Sequence, residues 1–125
     1  MLELGIITHD EDSRWNSPLI VVKKREGIRL VNNFIALNKK TIDEQYPMND
    51  LSDLISRVAG ARFLSRIDLC KAFFEIGLSE ESQKYTGFIS HCGKYKYLVL
   101  PMGLKCASFT CQRLIDRVLR GIREH

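Results

Sequence analysis

GARFLSRIDLCKAFFEIGL, residues 60–78, is the stretch on which the reading of this chain turns. Phe63, Ser65, Ile67 and Leu69 alternate with Arg62, Leu64, Arg66 and Asp68, the period of two expected of an extended strand. The alternation ends in a carboxylate and gives way at once to Leu69-Cys70-Lys71-Ala72-Phe73-Phe74. An acid fixed at a strand end can hold a hard metal ion on a rigid edge. The same acid can cap a short helix by accepting from its first N–H groups, and on pattern alone that is the plainer reading of Asp68.

Outward from this stretch the chain divides into short elements of both kinds. Upstream, Leu51, Leu54, Ile55 and Val58 recur at helical spacing, with Asn49 as a candidate N-cap and Gly60 as the stop. Earlier still, Leu19–Val22 and Ile28–Val31 flank Glu26-Gly27 as a hairpin, and Met1–Ile7 reads as the end of a helix. Downstream, Ser79-Glu80-Glu81 predicts a helical turn, and Tyr85–Ser90 and Lys94–Leu100 predict a second hairpin about His91-Cys92-Gly93. Phe109, Leu114, Ile115, Val118, Leu119 and Ile122 mark an amphipathic helix from about Ala107 to Ile122. The expected class is α+β in a single domain, since 125 residues suffice for one core.

Composition narrows the function. A chain with 45% hydrophobic and 27% charged residues is neither disordered nor of low complexity. Positions 20–40 hold Lys23, Lys24, Arg25, Arg29, Lys39 and Lys40 against Glu26 alone, 6 − 1 = +5, while the whole chain is +4. The rest is therefore slightly acidic, and the first hairpin is either a contact for an acidic partner or a solvated face. No apolar run approaches the ~18 residues of a membrane span and no signal-peptide layout opens the chain, so an intracellular protein without membrane contact is expected. Cys70, Cys92, Cys106 and Cys111 lack CxxC spacing and are expected to be reduced, mostly buried thiols. His91 beside Cys92 has only His9 and His125 as fellow histidines, too few for a metal centre of that kind.

Taken in order, LELGII, NSPLIVVKKREGIRL, ALNKKTI with YPMNDLSDLI, GARFLSRIDLCKAFFEIGL, KYTGFISHCGKYKYLVLPMGL and QRLIDRVL resemble the front of a gypsy-type LTR-retrotransposon reverse transcriptase, over essentially all 125 residues. The resemblance implies a partial right-hand polymerase, with fingers over about 1–42 and 76–106 and palm over about 43–75 and 107–125. It implies that Lys24 and Arg29 meet the phosphates of the incoming nucleotide, where an ammonium and a guanidinium fork offset charge that builds during transfer. Asp68 would be the first of three metal carboxylates, and the Leu69 carbonyl would help hold Mg²⁺. Phe73 would be the aromatic gate that leaves no room for a 2′-hydroxyl, with Ala72 beside it in the nucleotide site and Phe74 a plain core residue. Met102, within Pro101-Met102-Gly103-Leu104, would lie beside nucleotide and template, and Gln112 would open the helix behind. The implied partners are an RNA/DNA primer–template and a deoxynucleoside triphosphate.

Departures from the family pattern are as informative. Asn32-Asn33-Phe34-Ile35 stands where a [VI]-D-[YF]-R block is usual, losing the acid and the arginine. Lys105-Cys106-Ala107-Ser108-Phe109-Thr110-Cys111-Gln112 replaces N-A-P-A-T-F-Q, Glu75 stands for a Gln, and Lys71-Ala72 for a small residue and glycine. The Y-x-D-D hairpin, source of the other two carboxylates, is not among these residues, so one Asp faces a task for three. Three readings follow: a reverse-transcriptase fragment without catalysis of its own, a nucleic-acid-binding or assembly module derived from a retrotransposon polyprotein, and an unrelated small α+β domain. A palm without that hairpin is expected to leave the Asp68 strand as an exposed edge, open to self-association.

Overall fold

The structure is a computed structural model that describes residues 1–25, 27–42, 46 and 50–121. Two antiparallel sheets carry it. In the smaller sheet, β2 (Leu19–Lys24) pairs with β3 (Gly27–Asn32), in register from Leu19↔Asn32 to Lys24↔Gly27. The other has the order β1-β5-β4, with β1 at Ile7–His9, β4 at Phe88–Ser90 and β5 at Gly93–Tyr97. Both expected hairpins are therefore present. The second closes through His91-Cys92, where Ser90 Oγ accepts from the Cys92 N–H at 3.1 Å.

The core lies on one face of the three-stranded sheet. Alternation puts Tyr95 and Tyr97 on the same side of β5, and register sets Phe88 opposite Tyr95. The Phe88 ring is 5.8 Å from Tyr95 and 5.3 Å from Tyr97, and Phe34 meets Tyr97 edge-on at 6.3 Å. Ile6 completes this buried cluster, with Leu37, Phe74, Leu78, Val99 and Leu104 packed against it. Ahead of β1, residues 1–6 close a turn in which Gly5 N–H donates to Leu2 O and Ile6 N–H to Met1 O. These are the paired bonds of a helix-terminating motif, and Gly5 takes the left-handed φ of +62° that it needs.

Four α-helices and two 3₁₀ turns (Ala72–Glu75 and Lys84–Thr86) complete the described residues, the α-helices being α1 (Ile35–Asn38), α2 (Leu51–Val58), α3 (Glu80–Gln83) and α4 (Ala107–Val118). The observed cap of α2 is Asp50, whose carboxylate accepts from Ser52 N–H at 2.8 Å; Asn49, the expected cap, lies outside the described residues, as does Ile122. None of these helices is long and apolar enough to cross a membrane.

Residues 61–69 depart from expectation. They form no strand, and Phe63, Leu64 and Ile67 are 86%, 69% and 79% exposed. Alternation prepares a segment to be a strand, but only a neighbour that takes its N–H and C=O groups makes it one, and no described strand pairs with it. Where an exposed edge strand is expected at Asp68, the described residues show an unpaired segment without regular structure. A second correction concerns the thiols: all four are free as expected, but Cys70 and Cys92 are exposed and Cys106 and Cys111 only half-buried.

Candidate nucleotide and nucleic-acid site

Register divides the basic hairpin into two faces. Val22 faces Arg29 and Lys24 faces Gly27 across the ladder, so Lys24 and Arg29 share a side with Ile20, Val22 and Val31. Lys23 stands opposite Ile28, on the side that carries Leu19, Val21 and Leu30. That second side borders a cleft of about 570 Å³ against Phe88, Tyr95 and Tyr97. Val21 and Leu30 nonetheless stay 56% and 53% exposed, against 45% and 40% for Ile20 and Val22 on the Lys24/Arg29 side. The six cations of residues 20–40 therefore do not form one surface: Lys40 lies elsewhere, its Nζ over the Trp15 ring.

On the Lys24/Arg29 face two distant segments meet. The guanidinium Nη2 of Arg29 donates to Met102 Sδ at 3.0 Å, and Arg29, Val31, Phe74 and Met102 border a small cavity of about 50 Å³. The Met102 loop is held from below. Pro101 is fully buried, and Asn38 clamps the loop twice: its Nδ2 donates to Gly103 O at 2.8 Å and its Oδ1 accepts from Lys105 N–H at 2.8 Å. The turn carrying Phe73 reaches the same loop by another route. Leu78 N–H donates to Leu98 O and Leu100 N–H to Ile76 O, both at 2.8 Å, a short antiparallel tie just before Pro101.

That turn is a 3₁₀ helix over Ala72–Glu75, with Lys71 at its N-cap position in the left-handed region at φ 53°, ψ 40°. Lys71 and Ala72 stand where the family pattern has a small residue and a glycine, and here it is Lys71 that takes the left-handed conformation. Phe74 packs on the core as expected, while Ala72 and Phe73 are half-buried. The helix-cap reading of Asp68 fails, since Lys71 holds the cap position and no side chain caps the turn.

Asp68 and Leu69 are exposed, at the end of the unpaired segment. No hydrogen bond or ion pair reaches the Asp68 carboxylate among the described residues. A carboxylate beside a backbone carbonyl is the right kind of donor set for Mg²⁺, which takes oxygen ligands, commonly one or two carboxylates with waters and phosphates. In number the set falls short of a two-ion centre. No group of three His, Cys, Asp or Glu gathers among the described residues.

Sequence reasoning left several positions without their roles. Asn38 was visible in the A-L-N block, but its bonds to residues 65 and 67 positions away leave no local trace. Gln112 lies inside α4 and not at its opening; its Nε2 donates to Asp116 Oδ1 at 3.0 Å, one turn on. In the altered block, Asn33 Oδ1 accepts from Ile35 N–H at 3.0 Å, so an amide does the turn-closing work available to an acid. Asn32 is buried and its Oδ1 accepts from Tyr97 Oη–H at 2.8 Å. Burial pushes the Tyr97 phenol up to about 12.

A two-hairpin unit that presents cations beside a clamped Pro-Met-Gly loop fits the fingers of a template-directed polymerase, and comparison with known proteins gives the class. The family profile described as reverse transcriptase (RNA-dependent DNA polymerase) matches residues 21–125. The chain is 37% identical over 127 residues to the retrovirus-related Pol polyprotein from transposon gypsy of Drosophila melanogaster, and 34% over 128 to that from transposon 297. The matches take in 96% and 98% of this chain and 12% of each relative, so the chain spans about an eighth of their length. A solved structure of prototype foamy virus protease–reverse transcriptase superposes with a TM-score of 0.76 at 25% identity, covering 97% of this chain and 16% of that one. The chain belongs to the reverse transcriptase family. Its fold is a partial fingers and palm, the reaction of that family is RNA-directed DNA synthesis on a template and primer, and its members generally use divalent metal ions.

Proposed function

We propose that this chain supplies the fingers, about residues 1–42 and 76–106, and the Asp68-bearing part of the palm, about 43–75 and 107–125, of an intracellular reverse transcriptase. Lys24 and Arg29 grip the triphosphate of the incoming deoxynucleotide and the adjacent primer–template backbone. The observation that carries this is the convergence of Arg29 with Met102 on the face that also bears Lys24. A thioether is a weak acceptor, so a phosphate oxygen readily takes its place on the guanidinium fork. Phe73, in a turn tied to the same loop, stands under the sugar with Ala72 beside it. Asp68 and the Leu69 carbonyl provide one edge of the Mg²⁺ site, and nucleotidyl transfer waits on further carboxylates.

The salt dependence of binding to a primer–template tests this. Replacing Lys24 and Arg29 by Ala is expected to lower the slope of log K against log salt by about 1.4–1.8, two phosphate contacts at about 0.7–0.9 each. An unchanged slope makes the hairpin a solvated face and leaves the chain an assembly module. Self-association belongs to the same proposal, since Phe63–Leu69 offers unpaired backbone and exposed apolar side chains to a second copy. Sedimentation at rising concentration reads it, with a monomer throughout counting against it.

A further inference from the structure

A second group of cations lies apart from the Lys24/Arg29 face. Trp15 and Tyr85 meet edge to face, their ring centres 5.6 Å apart at 81°. Lys40 Nζ stands 5.4 Å from the centre of the Trp15 ring and Lys84 Nζ 5.2 Å from that of Tyr85. Two clefts use the ring pair as a common wall. One, of about 420 Å³, is bordered by Arg14, Lys84 and Lys96; the other, of about 510 Å³, by Lys40 and Thr41. Both fall in the roughly 300–1,000 Å³ range of ligand sites.

The ring pair is held rigidly. Ser13 Oγ donates to Lys84 O, and Ser13 N–H donates to the buried Asp10 carboxylate at 3.0 Å. Gly87 lets the segments close: a Cβ there would stand 2.5 Å from Trp15 O. Among the described residues, Arg14, Lys40, Lys84 and Lys96 have no carboxylate within 4.0 Å. Asp10, on the wall of the first cleft, is turned to Lys94 at 4.0 Å, and Asp12 is the exposed acid of that wall.

Half-exposed rings with an ammonium over each, opening on clefts edged by unpaired cations, suit a single strand. Its bases stack on rings while its phosphates meet the cations, whatever the sequence. A duplex keeps its base faces stacked inside, and an acidic peptide leaves the rings unused. We propose that Trp15 and Tyr85, with Arg14, Lys40, Lys84 and Lys96, hold a single-stranded nucleic-acid segment at a site separate from the nucleotide face of the first hairpin. The proposal rests on the reverse-transcriptase reading only in taking nucleic acid as the partner.

Trp15 is the only tryptophan of the chain, so its emission reports the site directly. Titration of the whole chain with a dT 12-mer, followed in parallel by anisotropy of the labelled strand, is expected to quench that emission as binding saturates. The double variant Lys40→Ala/Lys84→Ala should lower the salt slope by about 1.4, two single-strand contacts at about 0.7 each. Tyr85→Leu should weaken binding on the order of tenfold. The variant Lys24→Ala/Arg29→Ala should keep the quench even if the hairpin proves to be a solvated face, which separates the two readings. Binding without a quench, an unchanged slope in the Lys40/Lys84 variant, or equal quenching by poly-glutamate would each overturn the proposal, the last in favour of an acidic protein.

Discussion

The two hairpins and the Asp68 segment share one chain and one alternating pattern, yet only the hairpins fold on what the described residues provide. Phe88, Tyr95 and Tyr97 alternate into a face that Phe34 and Ile6 cover, and every strand of both sheets has a neighbour. Phe63, Ile67 and Leu69 alternate as cleanly and face solvent. Amphipathicity is thus half of a strand, the other half being a partner at about 4.8 Å. On the proposed reading, the side assigned to phosphate is self-supporting, whereas the side assigned to the metal carboxylate has no paired strand among the described residues.

Catalysis breaks the comparison most sharply. The 125-residue chain is expected to give no primer extension with Mg²⁺ and deoxynucleotides, because among the described residues Asp68 joins no cluster of acids and sits on an unpaired segment. Templated incorporation that disappears with Asp68→Asn would show that the segment finds its partners unaided.

Core truncation comes next. Phe88→Ala should cost about 3–5 kcal/mol by chemical denaturation, since the ring is buried against two tyrosines. Phe63→Ala, at a ring 86% exposed, should stay within about 0.5 kcal/mol. Amide exchange reads the same contrast in the intact chain, with Phe63–Leu69 exchanging faster than Leu19–Val22 and Lys94–Tyr97. Better protection at 63–69 would mean that the segment pairs in solution.

What the sequence disclosed and what it hid follow from range. Both hairpins were legible because a β-branched run flanks Glu26-Gly27 and aromatic and apolar residues flank His91-Cys92-Gly93, and turn and strand lie within a dozen residues. The shared fold was legible through six ordered blocks. Hidden were facts set by distant neighbours: the division of Lys23 from Lys24 by register, the clamp of Asn38 on the Met102 loop, the exposure of Cys70 and Cys92, and the want of a partner for Phe63–Leu69. The site was half legible for the same reason. Lys24, Arg29 and Met102 were named from motifs, but that Arg29 touches Met102 depends on packing across 73 residues.

Alkaline pH sharpens the comparison from the sheet side. Tyr97 ionises near pH 10.0 when unfolded and about 12 when buried, so the unfolded chain releases this proton first. Its contribution is fully present below pH 10 and is lost as pH rises through 12, on the order of 2 kcal/mol. Tyr97→Phe should flatten that part of the stability curve, measured by denaturant midpoints between pH 9 and 12. An identical decline in both chains would assign the loss to other groups.

The smallest effect sits at the join between the two regions. Lys71 holds φ 53° immediately after the exposed segment and before a turn whose Phe74 packs on the core. A side chain in that region costs roughly 1–2 kcal/mol, and glycine gives back about 0.5–1 kcal/mol of that through its freer unfolded state. Lys71→Gly should therefore stabilise the chain by about 0.5 kcal/mol, provided the strain is felt when the sheets unfold. That proviso is the useful part. A gain in the global denaturation midpoint places residue 71 inside the cooperative unit with Phe74 and the second hairpin, and sets the boundary of the loose segment at Cys70. If the midpoint does not move while exchange around Phe63–Leu69 slows, the strain is released by local opening, and the turn that carries Phe73 belongs with the Asp68 side.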